Sequence, residues 1–126
     1  MAGDVVQKLK LSAGMAGLVL NAPEGFVAGL GQAVDEQARD LYPFVLLFVS
    51  TETEWQTLCP VALRALNYDG LLWLAYPKQT SGQLTDMSRD VLWQLMEPLG
   101  QRPVTQIALD EVWTAMRFRP AGKVGS

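Results

Sequence analysis

The 126-residue chain contains no histidine and one cysteine, Cys59. Without imidazole there can be no histidine general base, no Ser-His-Asp or Cys-His nucleophile system, and no zinc site of the Cys/His kind. A lone cysteine excludes an internal disulfide, and its place in an apolar helical stretch reads as a small buried hydrophobe. Long apolar runs are also missing. The longest, residues 44–49 and 71–76, fall far below the ~18 residues that suggest a membrane span. The chain opens Met-Ala-Gly-Asp, with no basic region ahead of an apolar run, so no signal peptide is expected. The expectation is a cytoplasmic protein with no membrane partner. Basic charge is not in excess either: 10 Lys and Arg stand against 13 Asp and Glu, for a net charge of −3. Residues 1–77 hold four basic and eight acidic residues, and residues 78–126 hold six and five. No basic face can be assembled for a phosphate backbone, so nucleic acid is not an expected partner. There is no G-x-G-x-x-G, no G-x-x-x-x-G-K-[ST] and no Tyr-x-x-x-Lys.

What is present is an ordinary globular composition, 49% hydrophobic and 18% charged with a mean hydropathy of +0.12. The length suits one domain, expected over residues 1–119 with a flexible tail at 120–126. Area scaling gives roughly 6,600 Å² exposed when folded against roughly 20,000 Å² unfolded, enough burial for a core without disulfides or metals.

The hydrophobic pattern alternates between strand and helix. Residues 4–11 read as a short helix and 16–20 as a buried strand. Pro23 opens a helix carrying Phe26, Val27 and Leu30. The polar stretch 33–42 is open between loop, helical turn and strand. The continuous run FVLLFVS at 44–50 predicts a strand buried on both faces. Thr51 and Glu54 form a capping-box pattern that opens a helix, with Pro60 expected to kink or split it. A turn at 67–70 leads to a second buried strand, 71–76. A polar loop at 77–85 precedes a helix capped by Thr85 or Asp86 and ended by Pro98 and Gly100. Residues 103–109 and 112–118 read as a closing hairpin. The tryptophans at 55, 73, 93 and 113 fall on both helices and strands, so their even spacing is not a repeat. The expected fold is α/β: a three-layer, Rossmann-like sheet of about five strands, mostly parallel with one antiparallel C-terminal strand, and helices on both faces.

Three pieces carry a resemblance. They are Leu20-Asn21-Ala22-Pro23-Glu24-Gly25, Tyr76-Pro77-Lys78-Gln79-Thr80-Ser81-Gly82 with Thr85-Asp86, and Asp110-Glu111-Val112-Trp113 running on to Arg117-Phe118. Over nearly its whole length the chain resembles a family of small, functionally uncharacterised bacterial proteins. That family is similar to a reduced class I S-adenosylmethionine-dependent methyltransferase. The resemblance implies a fold and no particular activity. Full methyltransferases carry a glycine-rich turn whose N–H groups approach the cofactor, and a carboxylate on the next strand that holds the ribose. Here the turn at 21–25 has one glycine and a proline without an N–H, and the space between Leu20 and Phe44 fits one helix and one loop.

In open α/β sheets ligands sit outside the carboxyl ends of the strands. The candidate binding residues are therefore Asn21, Glu24 and Gly25 on the first such loop, and Lys78, Ser81, Gly82 and Thr85 on the third. The latter group offers a cation, hydroxyls and N–H donors beside a helix start, which suits a small anion. No residue is singled out as catalytic or metal-binding. The preferred expectation is a non-catalytic binding or interaction module without a cofactor, taking a small anion or a protein partner, with a homodimer as one arrangement. The alternative is a minimal S-adenosylmethionine-dependent methyltransferase, with Asn21 and Glu24 at the cofactor and Tyr76-Pro77-Lys78 by the substrate. A third reading has the acidic first half dock a basic partner.

Overall fold

Every residue from Phe44 to Val49 is fully buried, which requires cover on both faces of the strand that carries them. The computed structural model describes residues 2–12, 14–30, 32–78, 82 and 85–123. Its elements are α1 (Ala2–Leu9), β1 (Gly17–Leu20), α2 (Phe26–Gly29), β2 (Tyr42–Phe48), α3 (Glu52–Ala65), β3 (Leu66–Pro77), α4 (Arg89–Met96), β4 (Gln101–Ala108) and β5 (Trp113–Pro120). The five strands form one sheet in the order β1-β2-β3-β5-β4. β1, β2 and β3 pair in parallel, and β5 runs antiparallel between β3 and β4. The expected α/β layering is the one observed.

The side chains of β2 divide between two cores, as alternation in a strand requires. Val45, Leu47 and Val49 pack with Cys59 and Ala62 of α3 and with Leu92 and Met96 of α4. Phe44, Leu46 and Phe48 pack with Leu9 and Leu11 at the end of α1 and with Leu30 after α2. Trp73 on β3, fully buried in this second core, donates from Nε1 to the Leu9 carbonyl at 3.0 Å. That bond satisfies one of the carbonyls that α1 leaves open at its end. The exposed area of 6916 Å² is close to the size-based expectation.

The capping box at α3 is present. Thr51 Oγ1 accepts from Glu54 N at 3.1 Å, and the Glu54 carboxylate reaches back to Ser50 N at 2.6 Å. Several expectations are corrected. α3 runs as one 14-residue helix through Pro60, because Pro60 and Gln56, whose carbonyl loses its partner there, both lie on the exposed side. The helix after Pro23 has only four residues and begins after Gly25. Residues 67–70 are not a separate turn but an irregularity within β3. Leu66 pairs with Tyr42 and Leu71 with Phe44, so the intervening residues are extra in the register. A Cβ at Gly70 would sit 3.0 Å from the carbonyls of Asn67 and Pro43, so a larger residue would push the backbone aside where the strand returns to register. α4 is capped by Ser88, whose Oγ accepts from Val91 N, and not by Thr85 or Asp86. Residues 33–41 contribute one parallel bridge, Leu18 to Asp35, and no strand, and Tyr42 opens β2. The described part of the stretch expected as a tail from residue 120 is structured. Pro120 belongs to β5, and a 3-10 turn at Ala121–Lys123 donates from Ala121 N to Gly100 O at 2.7 Å; residues 124–126 lie outside the described set.

Burial pushes the Cys59 thiol up to about 12. A group whose folded pKa exceeds its unfolded value, about 8.5 for cysteine, stabilises fully below the unfolded value. That stability is lost as pH rises toward the folded one. Tyr42, held by its bond to Asp35, and Tyr76, held by burial, shift in the same direction. Urea stability is therefore expected to hold to about pH 8 and to fall steadily above it. A thiol reagent at about pH 8 should label Cys59 only in denaturant; fast labelling of the native chain would contradict the buried placement.

Candidate functional site

The carboxyl ends of β1, β2 and β3 lie along one edge, and the loops leaving them meet at the end of β2. Asn21, first residue after β1, has a left-handed φ of 61° and donates from Nδ2 to Phe48 O at 2.9 Å. Asparagine tolerates this backbone region better than most residues, and its short amide is what reaches across. From the other side, Thr85 Oγ1 donates to Ser50 O and accepts from Met87 N. Asp86 Oδ1 accepts from Glu52 N at 2.8 Å, so it serves the start of α3 instead of capping its own helix. Side chains from two loops thus close over β2. Beneath them, Phe48 meets Phe26 and Trp113 edge-on at ring separations of 4.8 and 5.0 Å.

The remaining predicted residues are spread along this edge. Glu24 and Gly25 are exposed on the β1 turn. Gly25 has a φ of 86°, open space where a Cβ would stand, and the position just ahead of α2. The N–H groups of Ala22, Glu24 and Gly25 donate to no acceptor among the described residues. Lys78 Nζ donates to Asp110 O at 2.6 Å, and Lys78 N to Val112 O, which fastens the end of β3 to the β4–β5 turn. Gly82 is exposed with a φ of 79°; Ser81 lies outside the described residues. Asn21 and Thr85 are therefore brought together at β2, while Lys78 belongs to the hairpin side.

Sequence reasoning placed Tyr76 and Lys78 by a substrate but missed the cleft they share with α4 and the hairpin. It encloses about 640 Å³ and is lined by Tyr76, Lys78, Arg89, Asp90, Gln106 and Thr114, among others. Of the predicted binding residues that are described, it includes Lys78 alone. Tyr76 and Thr114 are direct cross-strand partners between β3 and β5. Thr114 is the one buried polar residue among those described, and its Oγ1 donates to Ile107 O at 2.8 Å. A threonine among Trp113, Ala115 and Met116 was the available signal, but its partner is visible only from the register.

Asp35 bears on what the edge can hold. Its backbone bridges β1 through Val19 N to Asp35 O at 2.8 Å and Asp35 N to Gly17 O at 2.9 Å. Its carboxylate accepts from the hydroxyl of Tyr42, the residue that opens β2. The carboxylate is thus committed to the edge opposite the ligand loops. If the Asn21 side chain ties the turn down, Asn21→Ala should cost about 1–2 kcal/mol, from a lost hydrogen bond and a strained backbone. Asn21→Gly should cost about half as much, because glycine relieves the backbone. Equal losses in urea unfolding would contradict this division.

No family model matches the chain, and no curated protein matches it in sequence. Solved structures do. The N-methyltransferase NodS from Bradyrhizobium japonicum WM9 superposes with a TM-score of 0.61 at 15% identity, covering 94% of this chain and 93% of that one. The same protein in complex with S-adenosyl-l-homocysteine gives the same score over 85% of its chain. Trm5 from Methanocaldococcus jannaschii, solved with adenosine, gives 0.57 at 10% identity over 94% of this chain and 47% of that one. The chain has a reduced class I methyltransferase-like fold.

Proposed function

We propose that the chain is a reduced S-adenosylmethionine-dependent methyltransferase domain that holds its cofactor over the turn at residues 21–25. The observation that carries the reading is the combination of this sheet with a left-handed turn at the carboxyl end of β1, whose N–H groups at Ala22, Glu24 and Gly25 donate to no acceptor among the described residues. The neighbours add support, since NodS was solved with S-adenosyl-l-homocysteine and Trm5 with adenosine. They favour this reading over a non-catalytic module without a cofactor.

The residues present fit part of such a ligand. Backbone donors at Ala22, Glu24 and Gly25 suit an anionic or carbonyl group, and the Glu24 carboxylate can accept from an ammonium or hydroxyl. The open face of Gly25 permits close approach. The ribose carboxylate is not matched, because Asp35 is engaged by Tyr42 on the opposite edge. When bound, the cofactor supplies an electrophilic methyl group. This chain's own part is to orient the ligand at the turn, with Asn21 and Thr85 fixing the loop positions.

S-Adenosylmethionine and S-adenosylhomocysteine should each raise the melting temperature, and calorimetry should give a Kd below about 100 µM. Gly25→Val, which puts a β-branched side chain at a left-handed φ, should weaken binding at least about tenfold. Glu24→Ala should weaken it less. Absence of binding at about 1 mM ligand by the folded protein would overturn the proposal.

A second reading is favoured by one observation: the Asp35 carboxylate and the Asn21 amide are both spent inside the fold. On this reading the domain binds a small anion or a protein partner, as a homodimer in one arrangement, without methyl transfer. Failure of the cofactor titration selects it. Among the described residues no helix is long and apolar enough to cross a membrane.

A further inference from the structure

The cleft beside α4 is separate from the turn at residues 21–25, and what it offers does not depend on the cofactor reading. Its lining includes Tyr76, a residue only 4% exposed. The Tyr76 hydroxyl feels the charges of both Arg89 and Asp90, which places it near the first turn of α4. Arg89 is exposed at the rim. Lys78 and Arg89 against Asp90 give the lining one net positive charge, in a chain whose net charge is −3.

The cleft also continues. Arg89 and Gln106 line a second groove of about 210 Å³, whose other walls include Trp93, Pro103 and Val104. Trp93 and Val104 are 40% and 38% exposed, and they are two of the four large hydrophobic side chains that the described residues leave open to water. Arg89 therefore stands where a polar pocket joins an apolar shelf.

We propose that this combined groove binds a small monocarboxylate with an apolar tail. The carboxylate is held by the Arg89 guanidinium and the Tyr76 hydroxyl, and the tail lies between Trp93 and Val104. The planar guanidinium matches a carboxylate in a two-bond geometry. The neutral phenol, its ionisation opposed by burial, donates a further bond. One net positive charge matches a monoanion better than a dianionic phosphate. The tail removes Trp93 and Val104 from water.

The test is a titration of the full chain with octanoate, octanol and octylammonium, followed by amide and indole N–H chemical shifts. Octanoate should shift the Trp93 indole and the amides of Arg89 and Gln106 saturably, with a Kd below about 1 mM. Octanol, lacking the charge, should bind about tenfold more weakly. Arg89→Gln should weaken octanoate about tenfold while leaving octanol unchanged. Tyr76→Phe, which keeps the packed ring, should weaken octanoate several-fold, and Asp90→Asn should not weaken it. Octanoate binding that Arg89→Gln leaves intact, octylammonium binding as tightly as octanoate, or no saturable shift would each overturn the proposal. Cofactor binding at the turn at residues 21–25 is read from different amides, so either idea can fail alone.

Discussion

Burial of β2 on both faces is the constraint from which the rest of the molecule follows. Its alternate side chains supply both cores, so neither helical layer can be removed without exposing half of the strand. A slip of one residue would exchange the phenylalanine face for the valine and leucine face, and the two cores differ in shape. The register with β1 and β3 is therefore strongly specified. The two carbonyls at and just beyond the end of β2 then become the fixed points to which the neighbouring loops are tied, Phe48 O by Asn21 and Ser50 O by Thr85.

This tying decides where chemistry can occur. Directly over β2 the side-chain donors are used internally, and the edge is closed. On one side the β1 turn keeps N–H groups beside Gly25 that meet no acceptor among the described residues. On the other, the sheet continues through β3 to β5, and Tyr76 and Thr114 meet α4 across a cleft. The two open positions have different chemistry. The first is made of backbone donors and an exposed carboxylate; the second combines a phenol, a guanidinium and an apolar shelf. The chain next to β1 is reduced to the Asp35 bridge, whose carboxylate supports the start of β2 and not a ligand.

Much of this was legible in the residues. The run at 44–50 demanded two-sided burial, and Thr51 with Glu54 marked the start of α3. The alternation at the C-terminus gave the antiparallel hairpin. What failed depended on tertiary partners. Asp86 looked like a cap for its own helix, but its carboxylate is taken by Glu52 N from another helix. Residues 67–70 have turn composition, yet parallel pairing on both sides of them keeps them within β3. Asn21 was read as a ligand contact; that its amide bonds a backbone carbonyl 27 residues away is a further role that no local pattern shows. Tyr76, the last residue of the buried strand 71–76, was read beside a substrate in the methyltransferase alternative, and its meeting with Arg89, Gln106 and Thr114 comes from tertiary packing and the β3–β5 register. No local pattern encodes that meeting.

The central claim is that the reduced sheet still receives its cofactor at the end of β1. The most direct measurement is a map of backbone amide shifts on adding S-adenosylhomocysteine to the full chain. The account predicts saturable changes at Ala22, Glu24 and Gly25, smaller ones at Ser50 and Thr51, and none at Asp35 or Tyr42. Changes centred on Asp35, or no change at the β1 turn, would contradict it.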